Sequence, residues 1–431
     1  MSRLDELLKA LCPDGVESRK LEEITSAINI GINPRKFFKL NPDNAEGFYV
    51  TVRELNGLQG VLQYDKTDKI DMEAVRLINE RACIETGDIL FSNTGTVGKM
   101  ALVLEPPTNW GVNEGIYVIK PIKSIIDSRF LYYYLASGQA YSEYSSKFTG
   151  STLKHVTQKA LASLQIPVPP IEVQREIVRI LDNFTELTAE LTAELTARKR
   201  QYEYYRDALL NFGKTGGVER KLLSEIAEIY DGTHQTPDYK DEGIPFISVE
   251  NINNIYSTNK FITRQAYDAY KIKPQIGDVF MTRIGTIGKC AIMTKAEDLA
   301  YYVSLALIRP NPELVESRYL KHYIESTQGS KELSRRTLHN AVPIKVNKDD
   351  IGKIAIMVPP IDLQKKIADT LDNFDAICSD LTIGLPAEIE AREKQYGYYR
   401  DLLLSFDCSQ SVNVERERER ERERESKSTA Q

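Results

Sequence analysis

The chain has 431 residues, a formal net charge of −6, 42% hydrophobic and 27% charged residues, a globular balance with enough length for two domains, each with its own core. Five cysteines (Cys12, Cys83, Cys290, Cys378, Cys408) and four histidines (His155, His234, His322, His339) are scattered and form no C-x-x-C pair, which argues against a disulfide framework and a zinc site. No run of 18 apolar residues occurs, and Met1 to Ala10 has no signal-peptide character, so the sequence predicts a soluble, cytoplasmic protein.

In chain order, the first 168 residues and residues 214–358 are two versions of one unit. Val16-Glu17, Arg19, Leu21 and Glu23-Ile24 return as Val218-Glu219, Lys221, Leu223 and Glu225-Ile226. Gly87-Asp88 leading to Gly95-Thr96-Val97-Gly98-Lys99 returns as Gly277-Asp278 leading to Gly285-Thr286-Ile287-Gly288-Lys289, and Ser128-Arg129-Phe130-Leu131 as Ser317-Arg318-Tyr319-Leu320. The offset of about 190 residues is far longer than solenoid or propeller periods, so each copy is a whole domain with its connecting helix. Between the anchors the halves diverge: 29–64 shares almost nothing with 231–260. A common scaffold with different inserted surfaces fits two recognition modules for two targets; ordinary drift after duplication is the alternative.

Each domain is followed by a helical segment. After Pro169-Pro170, suited to a strand end and a first helical turn, apolar residues recur in steps of four and three from Ile177 and Leu181 to Leu209 and Phe212, interrupted only by Thr188 and Arg198. That pattern predicts a coiled-coil seam on a helix of about 40 residues, roughly 60 Å long. The copy after Pro359-Pro360 begins with the same seam, then steps four plus four from Leu381 through Leu385 to Ile389 with Gly384 and Pro386 close by, predicting a break there. Two helices with matching seams are expected to pair antiparallel. Within the first lies a tandem repeat, Leu187-Thr188-Ala189-Glu190, Leu191-Thr192-Ala193-Glu194 and Leu195-Thr196-Ala197-Arg198, each unit adding about 6 Å of helix. The acidity of the chain sits in these helical segments, and the globular halves are near neutral, which leaves room for local basic faces but excludes a strong phosphate-driven binder acting alone.

The glycine-rich turns, with Asn93 and Lys99 in one copy and Arg283 and Lys289 in the other, fail the P-loop pattern. They read either as structural turns between strands or as loops that offer backbone amides and a lysine to a nucleic-acid phosphate. No amino-methylation motif (Asp/Asn-Pro-Pro-aromatic), H-E-x-x-H, G-x-S-x-G or nuclease-like acidic cluster with lysine stands out, so catalysis by this chain is not expected. Side chains suited to bases or phosphates cluster just before each helical segment: Lys147, Thr149, Ser151, Thr152, Lys154 and His155 in the first half, and Arg335, Arg336, His339, Asn340 and Lys345 in the second. The divergent segments add Arg35, Lys36, His234 and Gln235.

Two variable halves, each closed by V-P-P-I-x-x-Q-x-x-I (Val168 to Ile177, Val358 to Ile367) and a long helix ending in Q-Y-x-Y-Y-R-D (Gln201 to Asp207, Gln395 to Asp401), resemble the specificity subunit of type I restriction-modification systems. The match runs from Met1 to about Asp407 and looks most like the subgroup with tandem T-A-E-L units in its central helix. The resemblance implies a mixed α/β (α+β) fold: target recognition domains at 1–168 and 214–358, spacer helices at 169–213 and 359–407 forming a long antiparallel coiled-coil pair, and a tail at 408–431. It implies a non-catalytic, sequence-reading chain on double-stranded DNA, each domain reading half of an asymmetric two-part site. Its implied partners are two methyltransferase subunits, with restriction subunits in the full complex, and no membrane. Those partners bring S-adenosylmethionine, ATP and magnesium. Tyr204, Arg206, Tyr398 and Arg400 are the candidate partner-binding residues. A two-domain protein scaffold without DNA contact is the alternative function.

From Glu415 to Glu425 the chain alternates Glu and Arg. Every i, i+4 pair there has like charge, which predicts disorder. The genetic code adds that an alternating G and A tract encodes Glu-Arg repeats and is prone to slippage, so this ending is expected to vary between cells.

Overall fold

The computed structural model describes residues 2–33, 37–43, 45–61, 67–105, 109–150, 153–213, 218–379 and 384–406. The chain divides into two units: Met1–Ala189 with Glu390–Gln431, and Glu190–Ile389. The Glu-Arg tract and the rest of the tail lie outside the described residues.

In the first unit a four-stranded antiparallel sheet runs in the order Thr25–Ile30, Ile116–Pro121, Ile89–Ser92, Met100–Leu102. A three-stranded sheet, Lys69–Ile70, Gly47–Val50, Trp110–Val112, includes one parallel pairing, Phe48 to Val50 with Trp110 to Val112. In the second unit the four-stranded order is Ala227–Asp231, Leu305–Pro310, Val279–Ile284, Thr286–Ile292. The three-stranded sheet there is Phe261–Ile262, Ile244–Ile247, Ala300–Tyr301. Each domain therefore carries the same mixed α/β scaffold, and each has a short ribbon joining its first strand to its last: Ser18–Lys20 with Gln165–Pro167, and Glu219–Leu222 with Ala355–Val358. The ribbon strands stand at the two ends of each domain, so it closes each domain where its long helix leaves.

The repeated Gly-Asp pair anchors the central strand. Asp88 accepts the N–H of Glu85 at 2.8 Å and the ammonium of Lys120 at 2.8 Å; Asp278 accepts the N–H of Gln275 at 2.8 Å and two nitrogens of Arg309 at 2.9 and 2.7 Å. Gly87 and Gly277 hold φ of 95° and 90°, a left-handed conformation that glycine adopts without a Cβ penalty.

The first long helix spans Ile171–Leu209, and the later segment is helical over Ile361–Ser379 and again over Leu385–Ser405. The V-P-P-I-x-x-Q sequence is explained by its glutamine. Gln174 is fully buried; its amide donates to the carbonyls of Pro169 at 2.7 Å and Ile125 at 3.0 Å, and its oxygen accepts the N–H of Asp127 at 2.8 Å. Gln364, also fully buried, repeats this with Pro359 (2.8 Å), Leu314 (2.9 Å) and Glu316 (2.9 Å). One amide thus satisfies three backbone groups that burial would otherwise leave unpaired.

Within each unit the opening of one helical segment packs with the closing of the other. In the first, Phe184 stacks on Tyr399 with ring centroids 5.4 Å apart, and Leu404 enters the domain core. In the second, Tyr205 stacks on Phe374 at 5.5 Å, and Leu210 enters the core. The L-D-N-F and Q-Y-x-Y-Y-R-D repeats are the two sides of this contact. Asp182 takes the hydroxyl of Tyr133 at 2.6 Å and lies 3.2 Å from Arg129. Asp372 meets the imidazole of His322 at 2.7 Å and Arg318 at 3.0 Å.

Candidate nucleic-acid interface

The two groups of polar residues singled out in each half are brought together. In the first domain the glycine turn follows the strand Ile89–Ser92, and the N–H of Gly95 donates to the carbonyl of Lys154 at 2.9 Å. Thr94 Oγ1 lies 2.9 Å from His155 Nδ1, and Thr149 and His155 close the polar loop with a reciprocal pair of backbone bonds at 2.9 and 3.0 Å. In the second domain Gly285 donates to the carbonyl of Ile344 at 2.9 Å, and Leu338 N–H to Lys345 at 2.7 Å. Each domain thus presents a glycine turn laced to a polar loop, at matching places on matching scaffolds.

The glycines are required by geometry. Gly95, Gly98, Gly285 and Gly288 have φ of 75°, 90°, 77° and 87°. A Cβ on Gly98 would sit 2.4 Å from the hydroxyl of Tyr144, and one on Gly288 would sit 2.6 Å from Leu333 Cδ1. The turns are therefore pressed onto the helices Gly138–Ser145 and Thr327–Ser334. Five of their amides are used inside the protein. Besides Gly95 and Gly285, Gly98 donates to Ser92 O at 3.0 Å, Lys99 to Ser92 Oγ at 2.8 Å, and Lys289 to Thr282 Oγ1 at 3.0 Å. Of the two readings of these turns, the bonds support the structural one, in which the turns hold the loops.

Two candidate side chains are corrected by burial. Asn93 is buried, its amide donating to Glu114 O at 3.0 Å and its oxygen accepting the Thr94 hydroxyl at 2.6 Å. Arg283, at the corresponding position, is buried, paired with Asp231 and bonded to Val346 O at 3.1 Å. Burial pushes its guanidinium below the usual value, and its Nε and Nη1 donors are used within the domain. In an apolar strand, polarity alone could not reveal this; position in the strand Val279–Ile284 could.

The remaining candidates differ in freedom. Lys99 donates to the carbonyls of Val52 at 2.8 Å and Arg53 at 3.3 Å, and Lys147 is held by Glu143 at 3.1 Å and Ser163 at 3.2 Å. Lys154 is exposed, its ammonium 5.9 Å from the Phe148 ring. Arg335 and Arg336 share Glu332, but the Arg335 side chain is 70% exposed against 23% for Arg336, so Arg335 is the one able to reach outward. His339 and Asn340 are exposed, with His339 Nε2 2.9 Å from Ser334 O, and Lys289 and Lys345 are also exposed. Lys36, Ser151 and Thr152 lie outside the described residues.

Among the helix-end candidates, Tyr204 and Tyr398 stand out to solvent. Arg206 and Arg400 do not: each lies over a tyrosine of its own helix, Tyr202 at 5.3 Å and Tyr396 at 5.6 Å, with only 14% and 19% of the side chain exposed. Cation–π contact and burial give both residues a packing role within the chain. The sequence reading missed Asp207 and Asp401 of the same motif, whose carboxylates receive the N–H groups of Thr327 at 3.0 Å and Gly138 at 3.1 Å. It also missed His322, fully buried, with Nδ1 3.0 Å from Tyr202 Oη.

Among the described residues, no group of three or more His, Cys, Asp or Glu is placed to hold a metal ion, and no helix is long and apolar enough to cross a membrane. The type I restriction modification DNA specificity domain model matches twice, over residues 13–198 and 216–391. The chain is 31% identical over 314 residues to a type I restriction enzyme specificity subunit assigned in Haemophilus influenzae, covering 68% of this chain and 76% of that one. It is 34% identical over 302 residues to the EcoR124I/EcoR124II specificity subunit of Escherichia coli, covering 66% of this chain and 72% of that one. In fold it is similar to a chain from a solved type I R-M system, with a TM-score of 0.62 at 20% identity over 91% of this chain and 98% of that chain. With the repeated domain, its closing glutamine and its helix pair each present twice, the chain belongs to the type I restriction modification DNA specificity domain family.

Proposed function

We propose that this chain is the DNA-reading subunit of a type I restriction-modification complex, each domain reading one half of an asymmetric two-part site. The observation that carries the reading is the doubled site: a rigid glycine turn laced to an exposed polar loop, once per domain, set among sequence that diverges between the copies. Phosphate contacts position a protein and base contacts specify, so two different loops on one scaffold suit two different half-sites. Lys154, His155 and Lys147 are assigned to one half, and Arg335, Arg336, His339, Asn340 and Lys289 to the other, with Lys36, Lys99, Ser151 and Thr152 as further contacts. The recognition domains are taken as 1–168 and 214–358.

The chain itself is non-catalytic in this reading. Two methyltransferase subunits dock on the helix pair, with the exposed Tyr204 and Tyr398 as contacts, and restriction subunits join the full complex; S-adenosylmethionine, ATP and magnesium belong to those partners. The near-neutral domains and acidic helices support this division, because partners closing on the duplex supply much of the phosphate contact. The tandem Leu-Thr-Ala-Glu units support membership of the T-A-E-L subgroup, in which they act as a ruler between half-sites, and the Glu-Arg tract makes the ending variable. Gel-shift assays of the chain co-expressed with its methyltransferase test the reading: a shift that survives competitor DNA and depends on sequence supports it, and binding without sequence preference contradicts it.

A further inference from the structure

The divergent segments leave the two scaffolds at the same structural place. Gly31 and Gly232 lie so close to a neighbouring chain segment that a Cβ would meet Val112 O at 2.2 Å and Tyr302 C at 2.5 Å, and the next residues, Ile32 and Thr233, form parallel bridges with Asn113 and Tyr302. One buried residue ties each exit to its polar loop. In the first domain Asn33 donates to the Glu114 carboxylate at 2.6 Å, the Asn93 amide donates to Glu114 O at 3.0 Å, and Asn93 O accepts the N–H of Val156 at 3.0 Å. In the second, the Arg283 side chain holds both Asp231, just before Gly232, and Val346 O, just after Lys345, and its carbonyl accepts the N–H of Val346 at 3.0 Å. Each divergent segment therefore starts beside the polar loop of its own domain.

In the second domain this exit displays an unused amide on a fixed backbone. Thr233 donates its N–H to Tyr301 O at 3.1 Å and accepts the N–H of Val303 at 3.0 Å, and its hydroxyl accepts the N–H of Gln235 at 3.3 Å. The Gln235 side chain is exposed, and its amide has no hydrogen-bond partner among the described residues. A side-chain amide holds a donor and an acceptor in one plane, the pattern that matches N7 and N6 of adenine in the major groove. Asp231 does not oppose nucleic acid here, because Arg283 neutralises it, and the adjoining loop brings the exposed Lys345, with Arg335 just before it. Two copies of one protein partner would meet matching residues at the two exits; the chain has Asn33-Pro34 at one and His234-Gln235 at the other, as two different base sequences require. Resting on the DNA-reading function above, we propose that Gln235 is a specificity-determining residue of the second domain, its amide reading the N6 and N7 edge of one adenine in that domain's half-site.

The test uses the chain co-expressed with its methyltransferase subunits and the site found by sequencing methylated adenines. Duplexes carry 7-deazaadenine in place of one adenine at a time on either strand, the methylated adenines excepted, which replaces N7 by C–H and leaves the pairing edge intact. Binding is compared for the wild-type and Gln235→Ala complexes; the side chain is exposed, so the variant keeps its fold. The expected result is one analogue position, in one half-site only, that weakens wild-type binding about tenfold, the worth of one hydrogen bond lost with its partner left unpaired. Gln235→Ala should bind the natural duplex about tenfold more weakly than wild type and be insensitive to the analogue at that position. The inference is overturned if Gln235→Ala binds as well as wild type, if it fails to assemble with the methyltransferase subunits, or if its loss is the same on every analogue duplex. A wild-type complex that does not prefer the mapped site overturns the DNA-reading function itself, whereas preference for the site without sensitivity to any analogue overturns only this assignment.

Discussion

The carboxylate of Asp401 accepts the backbone N–H of Gly138 at 3.1 Å, across 263 positions of chain. Gly138 opens the helix Gly138–Ser145, whose cap Ser137 receives the N–H of Ala140, so Asp401 satisfies a second orphan donor of the same terminus. Asp207 does the same for Thr327 at 3.0 Å, where Ser326 caps Gly329. The last residue of each Q-Y-x-Y-Y-R-D repeat is thus a latch that joins a helix end to the domain core it enters. Asp401→Ala and Asp207→Ala should each destabilise their own unit by about 1 kcal/mol, the usual cost of a lost cap, read as a shift in the denaturation midpoint. An unchanged midpoint in both would show that the latch carries no stability.

Gln174 and Gln364 should be far less tolerant. Gln174→Leu keeps the volume but strands the N–H of Asp127 and the carbonyls of Ile125 and Pro169. The expected loss is about 3 kcal/mol or more, since each buried unpaired group costs about 1–3 kcal/mol. Urea denaturation of the variant, with the m-value checked, reads this directly.

Substitutions at the interface should separate scaffold from contact. Arg283→Met removes the partner of Asp231 and the donor to Val346 O, so the second domain should lose stability. Lys154→Ala should leave the fold intact and weaken DNA binding, lowering the slope of log affinity against log salt by about one. Salt titration of the complex, alongside thermal denaturation, distinguishes the two classes.

The Asp372 clasp predicts a pH dependence confined to the second unit. Burial pushes the Asp372 carboxyl up, but the hydrogen bond and charge of His322 and those of Arg318 outweigh it and hold the group below its usual value. A carboxyl lowered in the folded state contributes stability that is full above its unfolded value, about 3.9, and is lost as pH falls through the lower folded value. Asp372→Asn should therefore be less stable than wild type at neutral pH, with the difference shrinking as pH drops below about 4. Thermal melts at stepped pH check this, and a difference that stays constant into acid would rule out the carboxylate as the source.

Inserting one more Thr-Ala-Glu-Leu unit into Leu187 to Arg198, within the continuous helix Ile171–Leu209, adds about 6 Å of helix. In the proposed reading the half-sites stay the same and the gap between them grows by one to two base pairs, about 3.4 Å each. Methylome sequencing of cells carrying the insertion is the check, and changed half-sites with the old gap would show that the helix does not measure spacing.

The doubled architecture was legible in sequence because its anchors are backbone requirements. A glycine at φ near 90° such as Gly87 or Gly277, or a glutamine with three backbone partners such as Gln174, admits few substitutes, so both copies keep it. The burial of Asn93 and Arg283 is not legible because residue type does not report it, and a buried polar residue in or beside a strand serves the scaffold as readily as a ligand. The packing of Arg206 and Arg400 is hidden for a related reason: helical spacing places Tyr202 and Tyr396 under them, but which face meets the domain depends on packing from distant sequence. The meeting of glycine turn and polar loop, through Gly95 with Lys154 and Gly285 with Ile344, is a long-range pairing that no local pattern announces.

The central claim is that each domain reads its own half of one DNA site, and exchanging a single domain tests it most directly. Residues 214–358 would be replaced by the corresponding domain of another family member, the hybrid expressed with the methyltransferase subunits, and methylated adenines mapped across the host genome. The account predicts a site in which one half is unchanged and the other is that of the donor. A hybrid that assembles and methylates a site with both halves altered, or with both halves unchanged, would contradict it.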